Sequence, residues 1–320
     1  MTGPPGAAVP PLLVIAGATA TGKTGLAIDL ALRLRAEGIA TEIISADSRQ
    51  VFRGLDIGTA KATLAERRGV PHHGLDLVEP DRPFSVADFA AHVAGVLPTI
   101  AAAGGLAILV GGTGFYLRAV ARGLDTGALP FDPGIRRRIE EDLAATSVAV
   151  AAARLVSLAP ALAAGVDLHN PRRVARALEI AEIAGDVVRP PARGYAAPVA
   201  WLGLDVPDEV HRRWIAGRAR AQFDAGLVDE AVALRRAYDP GLRAFTAIGY
   251  AEAWAVADGE IDRETAIERD AARNVAFARR QRTWFRRERG IEWLDATSGA
   301  ALEGAVSAAV RLRGGAPRSS

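Results

Sequence analysis

Residues 12–24 read LLVIAGATATGKT, and this run decides the fold. Leu12–Ala16 is apolar throughout, as expected of a parallel-sheet strand buried on both faces. Gly17, Gly22, Lys23 and Thr24 then satisfy G-x-x-x-x-G-K-[ST], with Ala18, Thr19, Ala20 and Thr21 filling the loop. A helix follows at once, with Leu26, Leu30 and Leu34 on one face and Gly38 closing it. Strand before and helix after is the context this phosphate-binding motif requires. Its glycines let backbone N–H groups wrap an anion at a helix N-terminus. Lys23 brings a mobile charge to the terminal phosphate, and the Thr24 hydroxyl can ligate Mg²⁺. A di- or triphosphate is therefore expected here.

Working outward, a second strand, Glu42–Ala46, runs into Asp47–Ser48, and a third, Leu106–Val110, runs into Gly111–Gly114. A helical segment from Ser85 lies between them. Strands alternating with helices predict a parallel sheet. In such a sheet ligands bind outside the carboxyl ends of the strands, so Asp47 and Thr113 should face the loop. Asp47 could instead be a helix cap or a plain metal carboxylate, and Thr113 a turn-stabilising hydroxyl. From Leu124 the texture turns helical and Ala-rich. Asp132 is placed as an N-cap and Pro133 as the first helical residue, and the segment ends at the Pro190–Pro191 linker. The sheet resumes at Ala200–Val206, long helices run to about Arg289, and Ile291–Leu294 and a last helix close the chain. The expected fold is α/β: a P-loop NTPase-like parallel sheet flanked by helices, with an all-helical insert. The core would span 1–124 and 196–320, and the insert 125–195.

Composition removes several classes of function. Without cysteine there is no disulfide scaffold, cysteine nucleophile or Cys-ligated metal. The five histidines form no HxH or HExxH spacing. No Lys or Arg precedes Lys23, so a signal peptide is not expected. The uncharged stretch Phe89–Leu117 is broken by Pro98 and two Gly-Gly pairs, and reads as helix, turn and strand rather than a membrane span. Neither lysine follows an Asn, which removes the guanine-reading NKxD. Strand-ending Asp47 and Asp205 each resemble a Walker-B carboxylate, so spacing alone leaves a small-molecule kinase open. A cytoplasmic enzyme is expected.

The basic residues are unevenly used. Net charge is only +2, and just two of the 39 Lys and Arg residues are lysines, Lys23 and Lys61. Arginines gather at 136–138, at 172–176 and within 269–289. In the last group Arg279, Arg282, Arg286 and Arg289 share a helix face, Arg273, Arg280 and Arg287 form a second stripe, and Phe277 and Trp284 a third that could pack inward. Segregated positive charge suits a phosphate backbone, although an arginine-rich solvated face would read the same way.

Several longer stretches are similar to one family. They are GATATGKT (Gly17–Thr24), ISADSRQVFRGLDIGTAK (Ile44–Lys61), PHHGLDLVEP (Pro71–Pro80) and FSVADF (Phe84–Phe89). LVGGTGFYL (Leu109–Leu117), HNPRRVARALE (His169–Glu179), IGY (Ile248–Tyr250) and RRQRTWFR (Arg279–Arg286) follow in the same order. The chain thereby resembles the tRNA dimethylallyltransferases, in their bacterial form. The resemblance implies transfer of a dimethylallyl group to the N6 amine of the adenine 3′-adjacent to the anticodon (position 37). The acceptors would be tRNAs reading codons that begin with U, and the products N6-(dimethylallyl)adenosine and diphosphate. It implies that Gly17–Thr24 hold dimethylallyl diphosphate with Mg²⁺ at Thr24, rather than ATP for phosphoryl transfer. Asp47 would be the general base, with Thr113, Lys23 and Arg218 completing the catalytic set. Asp47, Ser48, Arg49, Gln50, Thr113, Arg136, Arg172, Arg173, Val174, Ala175, Arg176 and the segment Ala247, Ile248, Gly249, Tyr250, Ala251, Glu252 would contact the tRNA anticodon stem-loop. Trp214 departs from the pattern by standing where an Arg is usual. A monomer without membrane attachment is implied.

Overall fold

All six residues of β1 (Leu12–Gly17) are buried, because this strand lies inside the sheet with helices over both faces. The structure is a computed structural model, and it describes residues 8–127, 129–188 and 190–314. After β1 come α1 (Lys23–Ala36), β2 (Thr41–Ser45), the single turn α2 (Leu64–Arg67) and β3 (His72–His73). The first half closes with α3 (Val86–Ala102), β4 (Leu106–Gly111) and α4 (Gly114–Ala121). Four helices follow: α5 (Pro133–Ala145), α6 (Val148–Leu158), α7 (Pro160–Ala163) and α8 (Pro171–Ala184). The second half holds β5 (Val199–Asp205), α9 (Asp208–Asp224), α10 (Leu227–Ala237) and a 3₁₀ turn at Arg243–Thr246. It ends with α11 (Tyr250–Ala257), α12 (Arg263–Phe285), β6 (Ile291–Asp295) and α13 (Ala301–Gly314).

The six strands are all parallel in the order β3-β2-β4-β1-β5-β6, a P-loop NTPase-like sheet. Alternation along β1 divides two cores. Leu12, Val14 and Ala16 pack with Phe89, Tyr116 and Phe285, whereas Leu13 and Ile15 pack with Ile28, Leu34 and Ala309. The rings of Phe89 and Tyr116 stack at 4.3 Å. The uncharged stretch 89–117 is thus α3, β4 and the start of α4. No helix among the described residues is long and apolar enough to cross a membrane. The edge strand β3 escapes the sequence reading because Pro71 and Gly74 leave only two residues, too few to show an alternation.

Among the described residues, those of 8–123 with 194–314 form one compact unit, and those between 124 and 193 form another. In the second, Asp132 caps α5 by accepting from the Gly134 and Ile135 N–H groups, both at 2.8 Å, and Pro133 is the first helical residue. Ile139, Leu155, Leu162 and Leu178 build its core. A fully buried carboxylate, Glu179, lies among them. It accepts from Arg176 (2.8 Å), Arg136 (3.0 Å) and the Asp132 N–H (2.9 Å). Removing both arginines would leave an uncompensated buried charge, a change that costs about 3–5 kcal/mol or more.

Candidate active site

The loop between β1 and α1 turns because Gly22 takes a left-handed conformation (φ 80°) at the N-cap of α1. Lys23 therefore begins the helix with its side chain folded back, donating to the Ala18 carbonyl from a buried position. Burial lowers the Lys23 pKa to about 7; Arg218 pushes it the same way, and Asp47 opposes them. A bound phosphate would restore the charge. Thr24 is exposed and, with Lys23, lines a cavity beside the loop.

Three strand ends meet there. Asp47, just beyond β2, lines the cavity and fixes one carboxylate oxygen on the Arg49 N–H at 2.8 Å. The β4 end is held against β2 by the Thr113 hydroxyl, which accepts from the Ser48 N–H at 3.0 Å. A Cβ on Gly111 would stand 2.2 Å from the Ala46 carbonyl oxygen, so only glycine permits this approach. Arg218 comes from α9, donates to the Thr19 hydroxyl at 3.0 Å and lines the cavity beside Lys23. Its pKa is lowered, chiefly by burial. The cavity thus presents two cations, a carboxylate and the anion loop to one ligand. Its walls also include Ile43, Leu75, Val110 and Phe277, which are apolar.

A sequence model described as IPP transferase matches residues 50–288. The chain belongs to the IPP transferase family. A tRNA dimethylallyltransferase of an Anaeromyxobacter species (strain K) is 46% identical over 292 residues, covering 88% of this chain and 92% of that protein. One from Thermobifida fusca is 41% identical over 286 residues, covering 88% and 89%. The crystal structure of a tRNA isopentenylpyrophosphate transferase from Bacillus halodurans is 35% identical with a TM-score of 0.68, and the match covers 94% of this chain and 96% of that one. Family membership makes the chain a prenyltransferase by class and sets aside the small-molecule kinase.

The structure sorts the remaining expected residues. Asp205 ends β5 but does not line the cavity, so of the two strand-end aspartates only Asp47 is placed for chemistry. Arg213, the residue before Trp214 on α9, stands 4.0 Å from Glu209 and does not line the cavity, whereas Arg218 of the same helix does. Several residues expected to contact RNA also make contacts that hold the fold together. Val174 and Ala175 sit in the core of the helical unit, and Arg136 and Arg176 neutralise Glu179. Arg173 stands 3.6 Å from Asp167, while Arg172 is exposed. The Arg49 guanidinium donates to the Arg243 carbonyl (2.6 Å) and the Thr246 hydroxyl (2.7 Å), and Gln50 bonds Ser45 and Thr59. In the Ala247–Glu252 segment only Ala251 is exposed and Ile248 half-buried. Gly249 has φ 107° beside Asp270, Tyr250 packs on Gly58, and Glu252 caps α11 and pairs with Arg273. This segment braces the GTAK loop from behind. Phe277 also departs from expectation: it opens onto the cavity, while Trp284 packs over Gly114.

Two positioning side chains went unassigned from sequence. Gln281 of α12 accepts from the Thr19 N–H at 2.8 Å and donates to the Gly112 carbonyl at 2.9 Å, tying the two glycine loops together. His211 of α9 stands 2.7 Å from the Thr19 carbonyl and accepts from Arg282 on its other nitrogen (2.6 Å). A carbonyl only accepts, so Nε2 carries the proton and the ring is neutral. Burial, aided by Arg282 and Lys23, lowers its pKa accordingly. Lys61, the other lysine, is buried between Asp56 (2.6 Å) and Asp76 (2.5 Å) and braces the loop after β2.

Proposed function

We propose that the chain transfers a dimethylallyl group from dimethylallyl diphosphate to the exocyclic N6 amine of the adenine 3′-adjacent to the anticodon (position 37), in tRNAs reading codons that begin with U. The observation carrying this reading is the joining of the anion loop, Lys23 and Arg218 to a strand-end carboxylate, Asp47, around one partly apolar cavity. Diphosphate oxygens sit on the Gly17–Thr24 N–H groups, with Lys23 and Arg218 neutralising them. The amine lone pair attacks the allylic carbon, that carbon's bond to the diphosphate oxygen breaks, and diphosphate leaves. Charge stabilisation on the leaving group is the largest contribution. The free oxygen of Asp47 takes the N6 proton, and Thr113 keeps the Asp47–Ser48 turn in place. The target base must leave its stack to reach this point.

Mg²⁺ fits this donor set. Among the described residues no group of three or more His, Asp or Glu is placed to hold a metal by itself. The Thr24 hydroxyl is exposed in the cavity, and Mg²⁺ ordinarily takes one or two protein oxygens plus phosphates and waters. When bound there it would screen the diphosphate charge. The enzyme is expected to act as a cytoplasmic monomer.

The acceptor is tested with an unmodified tRNA whose adenine at position 37 is replaced by guanine. Prenylation should vanish while the unaltered transcript is modified. Equal labelling of both would reject the assigned base.

A further inference from the structure

A second loop, residues 56–61, supplies Thr59 and Ala60 to the wall of the Lys23 cavity. Its first three N–H groups all turn to one carboxylate outside that wall, Glu230 in the first turn of α10. Glu230 Oε2 accepts from the N–H groups of Asp56 (3.1 Å) and Ile57 (2.7 Å). Oε1 accepts from the Gly58 N–H (3.1 Å) and the Tyr250 hydroxyl (2.7 Å). Successive backbone N–H groups converging on one point form an anion-binding nest, and here the anion belongs to the chain itself. Gln222 of α9 holds the same residues by their carbonyls, donating to Ile57 (2.6 Å) and Gly58 (2.9 Å). Gly58 has to be glycine, since a Cβ there would stand 2.6 Å from the fully buried Tyr250 ring.

What this bracing fixes is a carbonyl. Thr59, the next residue, turns its carbonyl to Arg218, whose guanidinium donates to it at 3.5 Å and to the Thr19 hydroxyl at 3.0 Å. Arg218 is thus set between two loops, one leading into α1 and the other held by Glu230. A long side chain has many rotamers, and its charge meets a leaving diphosphate only from the right one. An ionised carboxylate is all acceptor and suits four donors, whereas a glutamine amide would turn an NH2 group on the nest. We propose that Glu230 is a positioning residue for the donor site. Through the N–H groups of residues 56–58 and the Thr59 carbonyl it fixes where the Arg218 guanidinium meets the diphosphate. This inference rests on the isoprenoid donor proposed above.

The test is a double-mutant cycle on prenyl transfer by the full chain, with Glu230→Gln and Arg218→Gln made singly and together. Glu230→Gln should lower kcat/KM for dimethylallyl diphosphate roughly 5–50-fold, the scale of one hydrogen bond to a charged group, and leave KM for tRNA unchanged. In the Arg218→Gln enzyme the same substitution should change donor kcat/KM by no more than about twofold, because the group it acts through is gone. Gln222→Leu releases the same loop residues from their carbonyl side. It replaces Glu230→Gln in the cycle, with the same outcomes expected, if that variant does not fold. An unchanged donor kcat/KM would overturn the proposal. So would an equal loss with and without the Arg218 side chain, or a loss that appears in KM for tRNA. A wild-type enzyme that labels no tRNA from dimethylallyl diphosphate would instead reject the donor reading, and this inference with it.

Discussion

At the residue scale the chemistry turns on charges whose environments pull in different directions. Lys23 is buried beside Arg218 and so titrates near neutrality, at about 7, until an anion arrives. Below that pH the ligand-free enzyme holds its cation; above it the cation is lost and donor binding must take up a proton. kcat/KM for dimethylallyl diphosphate should therefore fall with a midpoint near pH 7, while kcat stays flat because bound diphosphate keeps Lys23 charged. A pH profile in which both parameters stay flat would place the Lys23 pKa elsewhere. Asp47 is separable from it. Asp47→Asn keeps the acceptor for the Arg49 N–H but loses the proton acceptor. It should lower kcat roughly 10²–10⁴-fold, with tRNA affinity and thermal stability nearly unchanged. Loss of tRNA binding with near-normal residual turnover would make Asp47 a recognition residue, and rescue by added Mg²⁺ would make it a metal ligand. The roles sought for Lys23 and Asp47 could be read from motif and strand position alone. That of Gln281 could not, because its partners are backbone groups 262 and 169 residues away in the chain.

At the scale of elements, α9 and α12 hold the anion loop from outside. Thr19 is engaged three times, by Arg218 and His211 of α9 and by Gln281 of α12. Replacing Gln281 by Leu removes two hydrogen bonds and leaves the Thr19 N–H without its acceptor. Two such losses, each worth about 0.5–1.5 kcal/mol, should lower kcat/KM for the donor roughly 10–100-fold while tRNA affinity is kept. Steady-state kinetics with each substrate varied in turn would show it, and an unaltered donor kcat/KM would reduce Gln281 to packing. The arginine stripes of α12 illustrate what periodicity conceals. The Arg279, Arg282 and Arg286 face was visible as a pattern, yet Arg282 spends its charge on Asp208 and His211. Arg136 and Arg176 likewise have a partner that periodicity does not show. Their sequence signature matches a phosphate-binding surface, but the partner that claims them, Glu179, is three residues beyond Arg176 and 43 beyond Arg136. Hydrophobic pattern and glycine spacing are local signals, whereas the choice of counter-ion is made by tertiary packing.

Over the whole molecule a net charge of +2 hides Lys23 and Arg218 drawn to the anion loop, while among the described residues many other arginines pair with Asp or Glu. The parallel sheet was legible because β1, β2, β4 and β5 carry apolar runs ending at glycine or aspartate, and the strand order then gathers those ends at one edge. The same phosphate loop serves phosphoryl transfer in other proteins of this fold, so the central claim is that here it holds the leaving diphosphate of a prenyl donor. The direct measurement is incubation with unmodified tRNA and radiolabelled dimethylallyl diphosphate, with and without Mg²⁺, beside a reaction given ATP alone. Label should enter tRNA only when Mg²⁺ is present and without any need for ATP, and Lys23→Ala should cut incorporation by orders of magnitude. Hydrolysis of ATP or movement of its γ-phosphate to an acceptor, with no label in tRNA, would contradict the account.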